Sequence, residues 1–123
     1  MGYEAKYDAD NEVVSLKIIG IYTADDARAF NKDAESMLKD KAIRQIMVDL
    51  AEAGKFGGTE ARKTTAQQMK RLEVQAMAMF NARPAVRIMG KILTKLTGGS
   101  MKAGFFTTPA EALLWLKQER TQA

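Results

Sequence analysis

A run of seven residues with a single polar member, Val74–Phe80, is followed closely by a segment with the period of an α-helix. Such an apolar run predicts a strand that is covered on both faces, as is usual for strands in parallel sheets. Parallel strands need a crossover connection, usually a helix, and the segment Arg83–Leu96 supplies one. The pair therefore predicts an α/β fold in which helices pack on a mainly parallel sheet.

The segment Arg83–Leu96 separates its apolar and basic residues onto two faces when it is drawn at about 100° per residue. We expect the apolar face to pack on the sheet; it contains Ala85, Ile88, Met89, Ile92, Leu93 and Leu96. The other face has four cations at a spacing of four residues: Arg83, Arg87, Lys91 and Lys95. A cationic face is common on any solvated helix, but it is also typical of helices that lie on anionic membranes.

Turn and capping residues place the other elements around this pair. Thr23, Thr59 and Thr108 each stand at an expected helix start, where a hydroxyl can cap the first turn. Gly20 is expected to end a strand, and the glycine-rich stretch 51–58 is expected to be a loop. The predicted strands are 3–7, 13–19, 46–50, 74–80 and 102–106, and the predicted helices are 24–39, 59–72, 83–96 and a last one after 108.

The resulting order, β-β-α-β-α-β-α-β-α, begins with a hairpin and continues with right-handed crossovers. It predicts an open, mainly parallel sheet of four to five strands with about four flanking helices. We expect residues 1–123 to form a single domain, because the length suits one hydrophobic core and no linker or internal repeat is visible.

The composition argues against an enzyme. The chain has no cysteine and no histidine, so it has no thiol nucleophile and lacks the commonest general base and metal ligand. No phosphate-cradling glycine motif is present, and no metal or other cofactor is expected. The aromatic residues do not alternate with the basic ones on any predicted strand, which argues against sequence-specific nucleic-acid binding.

The charge is unevenly distributed along the chain. Residues 1–61 carry 8 basic and 12 acidic side chains, whereas residues 62–123 carry 11 and 3. The basic half suits phosphates or anionic membranes, although solvated surface lysines explain it equally well. No signal peptide is visible, and no apolar run reaches the roughly 18 residues of a membrane span. We expect a cytoplasmic protein, with the inner face of the membrane as a second location if the basic helix binds lipid.

The end of the chain resembles the SpoIIAA-like family of the STAS superfamily. In that family the last strand leads through a Phe-Thr turn into a helix with the pattern Ala-x-x-Trp-Leu. The matching residues are Phe106, Thr107, Thr108, Glu111, Ala112, Trp115 and Leu116, together with Val48-Asp49-Leu50 for the central strand. The resemblance covers nearly the whole chain and implies the open sheet described above. It does not imply one activity.

One activity that the resemblance suggests is that of anti-sigma-factor antagonists, which are switched by phosphorylation near the start of the helix after the central strand. Alignment without gaps places Thr59 there. Ala51 stands where such proteins usually have serine, and Gly57 or Gly58 stands where they have an acidic residue. Thr59 is then a candidate phosphosite of a protein-interaction regulator; the alternative is a plain N-cap.

The relation of the fold to CRAL-TRIO lipid-binding domains implies a second activity, and we take it as the main hypothesis. The protein would be a non-enzymatic module that binds an apolar or lipid-like ligand, or an anionic membrane, through helix 83–97. Each cation near an anionic leaflet contributes about 1 kcal/mol. If the helix swings away from the sheet, it would open a cavity lined by Met77, Met79, Phe80 and Phe105. The expected partners are therefore an apolar small molecule or anionic lipid, or a protein, and the expected state is a monomer or homodimer.

Overall fold

The computed structural model describes residues 2–56 and 58–121. Within them, five strands and four helices follow the predicted order. They are β1 (Tyr3–Asp8), β2 (Val13–Tyr22), α1 (Ala24–Leu38), β3 (Gln45–Phe56), α2 (Thr59–Arg71), β4 (Ala76–Phe80), α3 (Pro84–Leu96), β5 (Lys102–Phe106) and α4 (Pro109–Arg120). The strands form one sheet in sequential order, with β1 antiparallel to β2 and all other neighbours parallel. The predicted fold class is confirmed.

Two of the three predicted threonine caps are present. The Thr23 hydroxyl accepts a hydrogen bond from the Asp26 backbone N–H at 3.1 Å, and the Asp26 carboxylate accepts one from the Thr23 backbone N–H at 3.0 Å. This reciprocal pair is a capping box and starts α1. Thr108 caps α4 by accepting from the Glu111 backbone N–H, and Pro109 follows as the first helical residue.

Two glycines that were expected to end or interrupt strands lie within them. β2 continues through Gly20 to Tyr22, and β3 continues through Gly54 to Phe56, so the prediction of a loop over 51–58 is wrong for residues 51–56. The β2–β3 register shifts on either side of Gly20, whose φ of +69° marks a bulge. A Cβ added to Gly54 would lie 3.2 Å from the Gly20 carbonyl, so glycine here permits two backbones to approach closely.

The sheet separates two apolar clusters. Helices α1, α2 and α3 cover one face, and Phe30, Met69 and Val86 from these helices are buried in its core. Helix α4 covers part of the other face with Ala112 and Leu116. All five residues of β4 are buried, so the prediction that this strand forms core is confirmed.

The last turn of α4 is joined to the opposite end of the chain by side-chain hydrogen bonds. Arg120 Nε donates to Gln45 Oε1 at 2.7 Å, and Arg120 Nη2 donates to the backbone oxygens of Asn11 at 2.6 Å and Glu12 at 3.3 Å. Gln45 is only 2% exposed, and its Nε2 donates to the Leu116 carbonyl at 2.9 Å. These bonds, hereafter the Arg120 clamp, fix α4 to β3 and to the β1–β2 turn.

Candidate functional site

Helix α3 is amphipathic, but a different face from the expected one packs on the sheet. Val86 and Thr97, which lie close to one line along the helix, are 2% and 1% exposed. Thr97 is accommodated because its hydroxyl donates to the Thr94 carbonyl at 2.6 Å. In contrast, Ile88 is 60% exposed and Ile92 is 40% exposed.

The predicted packing face is therefore wrong for Ala85, Ile88, Ile92 and Leu96, all of which are exposed. Leu96, the last of them, is 38% exposed. Ile88, Ile92 and Leu96 are spaced by four residues and form an exposed line, hereafter the aliphatic row. The side chains of Met89 and Leu93 lie outside the described part of the structure. A helical wheel ranks residues by hydrophobicity alone, whereas here the geometry of the crossover selects the face that contains Val86.

The four predicted cations divide into one structural residue and three surface residues. Arg83 precedes the first turn of α3 and donates a short hydrogen bond to the Ala53 carbonyl of β3, so it secures the helix start. The Arg87 guanidinium lies over the Phe105 ring, 5.4 Å from its centroid. Lys91 and Lys95 are exposed and form no ion pair within the described residues. Arg87, Lys91 and Lys95 are hereafter the basic stripe.

The expected ligand cavity, which requires α3 to swing away from the sheet, is not open, and two of its four expected residues line the small space that is present. Met77 and Met79 face α3 and, with Val86, line an apolar cavity of about 20 Å³. That is room for roughly one water, whereas ligand pockets usually have at least about 300 Å³. Phe80 points to the other face of the sheet and packs in the α4 cluster, as strand alternation requires. The prediction that Phe80 lines one cavity with Met77 and Met79 is therefore wrong.

Thr59 is the first residue of α2 and is exposed, but it does not cap the helix. The cap position is Gly58, whose φ is +97° and which has no side chain to satisfy the first N–H groups. The Thr59 hydroxyl accepts a long hydrogen bond, 3.4 Å, from Arg62 Nη2. The alternative that Thr59 is only an N-cap is therefore wrong. Its hydroxyl is accessible at a helix N-terminus, where an added phosphate would be stabilised. The missed signal was Gly58 itself, a favourable N-cap directly before it.

The titratable groups with clearly shifted pKa values have structural roles. Burial raises the pKa of the Asp26 carboxyl, but hydrogen bonds from Thr23 and Gly2 outweigh it and hold the pKa below the ordinary 3.8. Burial, and then the hydrogen bond to Asp33, raise the pKa of Tyr3 to about 12. The described residues contain no cluster of three or more potential metal ligands. Among the described residues, the exposed candidate features are the surface of α3 and the start of α2.

This sheet, with its hairpin and crossover helices, has a SpoIIAA-like fold, as the sequence resemblance predicted. One similar solved structure is an uncharacterised DUF3478-family protein with a SpoIIAA-like fold from Shewanella loihica PV-4, with a TM-score of 0.65 at 17% identity over 93% of this chain and 91% of that one. Another is the anti-sigma factor antagonist SpoIIAA in its unphosphorylated form, with a TM-score of 0.64 at 13% identity over 94% and 97%.

A third similar structure is a Thermotoga maritima protein assigned as a candidate anti-sigma factor antagonist, with a TM-score of 0.62 at 17% identity over 94% of each chain. At these identities the similarity establishes the fold. The chain belongs to the family described as a domain of unknown function, DUF7793, which matches residues 13–120. No curated protein matches the chain in sequence. In the part that the structure describes, no helix is long and apolar enough to cross a membrane.

Proposed function

We propose that this protein is a non-enzymatic protein-interaction regulator whose partner contact is switched by phosphorylation of Thr59. The observation that carries the proposal is the exposed Thr59 hydroxyl at the uncapped start of α2. The fold supports it, because SpoIIAA, an anti-sigma factor antagonist of similar structure, is known in a phosphorylated and an unphosphorylated form.

The local chemistry explains how a phosphate would act. It would add roughly two negative charges beside the first N–H groups of α2, where the helix dipole stabilises anions. Arg62, which already contacts the Thr59 hydroxyl, would gain a stronger acceptor. Arg28 lies near as well, since its Nη1 is 3.6 Å from the carboxylate of Glu60, the residue after Thr59. A phosphate would therefore change the charge of the exposed α2 start and reorganise its ion pairs.

Phosphorylation in an extract of the source cells, read by intact mass, tests the proposal. The wild-type protein should gain one phosphate, and Thr59→Ala should gain none. Thr107→Ala is the matched control, because Thr107 is also exposed and also follows the carboxyl end of a parallel strand. The proposal fails if Thr59→Ala is phosphorylated as fully as the wild type, or if the wild type remains unmodified.

A second candidate function is peripheral binding to anionic membranes, and one specific observation favours it. The aliphatic row and the basic stripe lie side by side on the outer surface of α3, which is the arrangement of an interfacial helix. Three cations near an anionic leaflet would contribute about 3 kcal/mol, or roughly a hundred-fold in affinity. A carrier role for an apolar ligand stays a prediction that requires α3 to move away from Met77 and Met79.

Flotation with anionic and neutral vesicles tests this second candidate. Replacing the basic stripe with three glutamines should reduce binding to anionic vesicles by up to roughly a hundred-fold. The matched control replaces Lys32, Lys39 and Lys117 with glutamine; all three are exposed and form no ion pair within the described residues. Equal binding of the wild type to both kinds of vesicle would rule out this candidate. It would also be ruled out if the control variant lost as much binding to anionic vesicles as the basic-stripe variant.

A further inference from the structure

Strand β5 is an edge of the sheet with unpaired backbone groups. It pairs with β4 alone, and the Lys102 N–H donates to the Gln75 carbonyl at 3.1 Å on that side. Because successive residues of a strand direct their backbone groups to opposite sides, Gly104 and Phe106 also bond toward β4. The N–H and C=O groups of Ala103 and Phe105 therefore point away from the sheet. Within the described residues they have no hydrogen-bond partner.

The two edges of the sheet differ in how they are protected. The other edge strand, β1, has Glu4, Lys6 and Asp8 among its six residues. Charges of this kind are a common defence against pairing with another chain. β5 contains a single charged residue, Lys102, whose ammonium group is already 3.2 Å from the Glu119 carboxylate. β5 also lacks a proline, so its edge remains open to an added strand.

The α3 side of this edge is basic. The 37 residues from Val74 to Ala110 contain five Lys and Arg residues and neither Asp nor Glu. The Arg87 guanidinium lies over Phe105 of the edge strand itself. Lys91 follows one turn after Arg87 on the same side of α3, whereas Lys95 lies opposite the buried Val86 and points away from the sheet. A strand added beside β5 would therefore have Arg87 and Lys91 on one of its faces.

The opposite face of the same edge is apolar. The Phe106 ring covers Gly104, where an added Cβ would lie 2.8 Å from the ring, and it contacts Trp115 with 5.3 Å between ring centroids. Both aromatic side chains are only partly buried, so they form an accessible apolar shelf on the α4 side. Side chains of an added strand would alternate between this shelf and the side that carries Arg87 and Lys91.

We propose that the β5 edge binds an extended segment of a partner protein in which acidic and apolar residues alternate. The segment would become a sixth strand, its backbone bonded to Ala103 and Phe105. Its acidic side chains would meet Arg87 and Lys91, and its apolar side chains would rest on Phe106 and Trp115. This mode of recognition takes affinity from main-chain bonds and specificity from alternate side chains. The site is separate from Thr59 and does not depend on its phosphorylation.

The charge pattern favours a foreign segment over a second copy of this chain. Antiparallel pairing of two β5 strands about a twofold axis would place both α3 helices on the same face of the joined sheet. The Arg87 and Lys91 side chains of the two copies would then lie near each other, and like charges across an interface oppose association. The side chains of an acidic segment would instead be attracted to Arg87 and Lys91.

Binding of labelled synthetic peptides to the full chain, measured by fluorescence anisotropy, tests the proposal. A peptide of alternating glutamate and valine, slightly longer than β5, should bind, and a lysine–valine peptide of the same length should not. Affinity should fall as salt rises from about 0.01 M to 0.1 M, which shortens the Debye length from roughly 30 to 10 Å. Equal binding of the acidic and basic peptides would overturn the proposal.

N-methylated peptides test for backbone pairing without altering the protein. Methyl groups on the glutamate nitrogens block antiparallel addition, and methyl groups on the valine nitrogens block parallel addition, because only one set faces β5 in each case. We expect one of the two methylated peptides to lose binding and the other to retain it. Loss of binding in both peptides, or in neither, would overturn the proposal.

Variants of the protein complete the test. Ala103→Pro removes an outward N–H at an edge position where proline is tolerated, and it should weaken peptide binding roughly three- to ten-fold. Arg87→Gln with Lys91→Gln should weaken it roughly ten-fold and flatten its salt dependence. Thr59→Ala should bind the peptide as the wild type does, so the outcome is independent of the phosphorylation experiment. A dimer that Ala103→Pro dissociates in light scattering would overturn the proposal, because a second copy would then occupy the edge.

Discussion

Replacing Arg120 with methionine is expected to destabilise the protein by breaking the Arg120 clamp while keeping most of the side chain's apolar stem. The main effect is on Gln45, which is 2% exposed and whose Oε1 would lose the hydrogen bond that it accepts from Arg120 Nε. The backbone oxygens of Asn11 and Glu12 lie at the surface turn and can be hydrated instead.

The magnitude follows from these two different environments. The buried Gln45 oxygen left without a partner costs about 1–3 kcal/mol, and losing the bonds to the surface oxygens of Asn11 and Glu12, which water can replace, adds about 1 kcal/mol. The free energy of unfolding should therefore fall by about 2–4 kcal/mol. At roughly 4 °C per kcal/mol for a domain of this size, Tm should fall by about 8–16 °C. Because the cost lies in the unpaired Gln45 oxygen, Gln45→Leu should cost less stability in the Arg120→Met background than in the wild type, although it removes the Gln45 Nε2 bond to the Leu116 carbonyl in both.

Urea unfolding followed by circular dichroism measures these differences. Lys117→Met is the matched control, since Lys117 lies on the same helix, is exposed and forms no ion pair within the described residues. It should change stability by less than about 0.5 kcal/mol. The role of the Arg120 clamp is refuted if Arg120→Met lowers the free energy of unfolding no more than this control. It is also refuted if the loss in the double variant equals the sum of the losses in Arg120→Met and Gln45→Leu.

Three further outcomes are expected. Burial and the bond to Asp33 raise the Tyr3 pKa from 10.0 to about 12. The contribution of Tyr3 to the free energy of unfolding is therefore fully present below pH 10 and is lost as the pH rises toward 12. In urea titrations, Tyr3→Phe should remove part of this loss at high pH. Because the Asp26 pKa is lowered, the contribution of Asp26 to the free energy of unfolding is present above pH 3.8 and is lost as the pH decreases below that value. Asp26→Asn should therefore make the free energy of unfolding fall less steeply with decreasing pH in the acid range. Gly104→Ala would place a Cβ 2.8 Å from the far end of the partly buried Phe106 ring, which would have to move; thermal unfolding should show a loss of at most about 1 kcal/mol.

The order and type of the elements could be predicted because local signals agree with the tertiary structure. The apolar run that ends at Phe80 is buried throughout β4, and the Thr23 and Thr108 caps start helices as expected. The strand ends were less predictable. Gly20 and Gly54 have the composition of turns, yet they meet each other across a β2–β3 bulge, and only the pairing of two distant segments makes that visible.

The candidate surfaces were predicted only in part, because a helical wheel does not determine which face meets the sheet. Ile88 and Val86 are both branched and apolar, and nothing local distinguishes the one that is 60% exposed from the one that is 2% exposed. The open edge of β5 was also invisible in the sequence, because edge status depends on the position of a strand in the sheet. Phe105 and Phe106 were predicted as strand, but not as the border of the sheet.

The strands occur in the sheet in the same order as in the chain, which has a consequence for how the protein folds. Each new strand can pair with a neighbour that already exists, so the sheet can grow from β1 toward β5 during synthesis without rearrangement. Pairing between chain neighbours closes short loops and favours fast folding. The bonds from Arg120 to Glu12 and Asn11 are the exception, because they join residues 108 and 109 positions apart. We expect them to form last, as the step that closes the finished sheet.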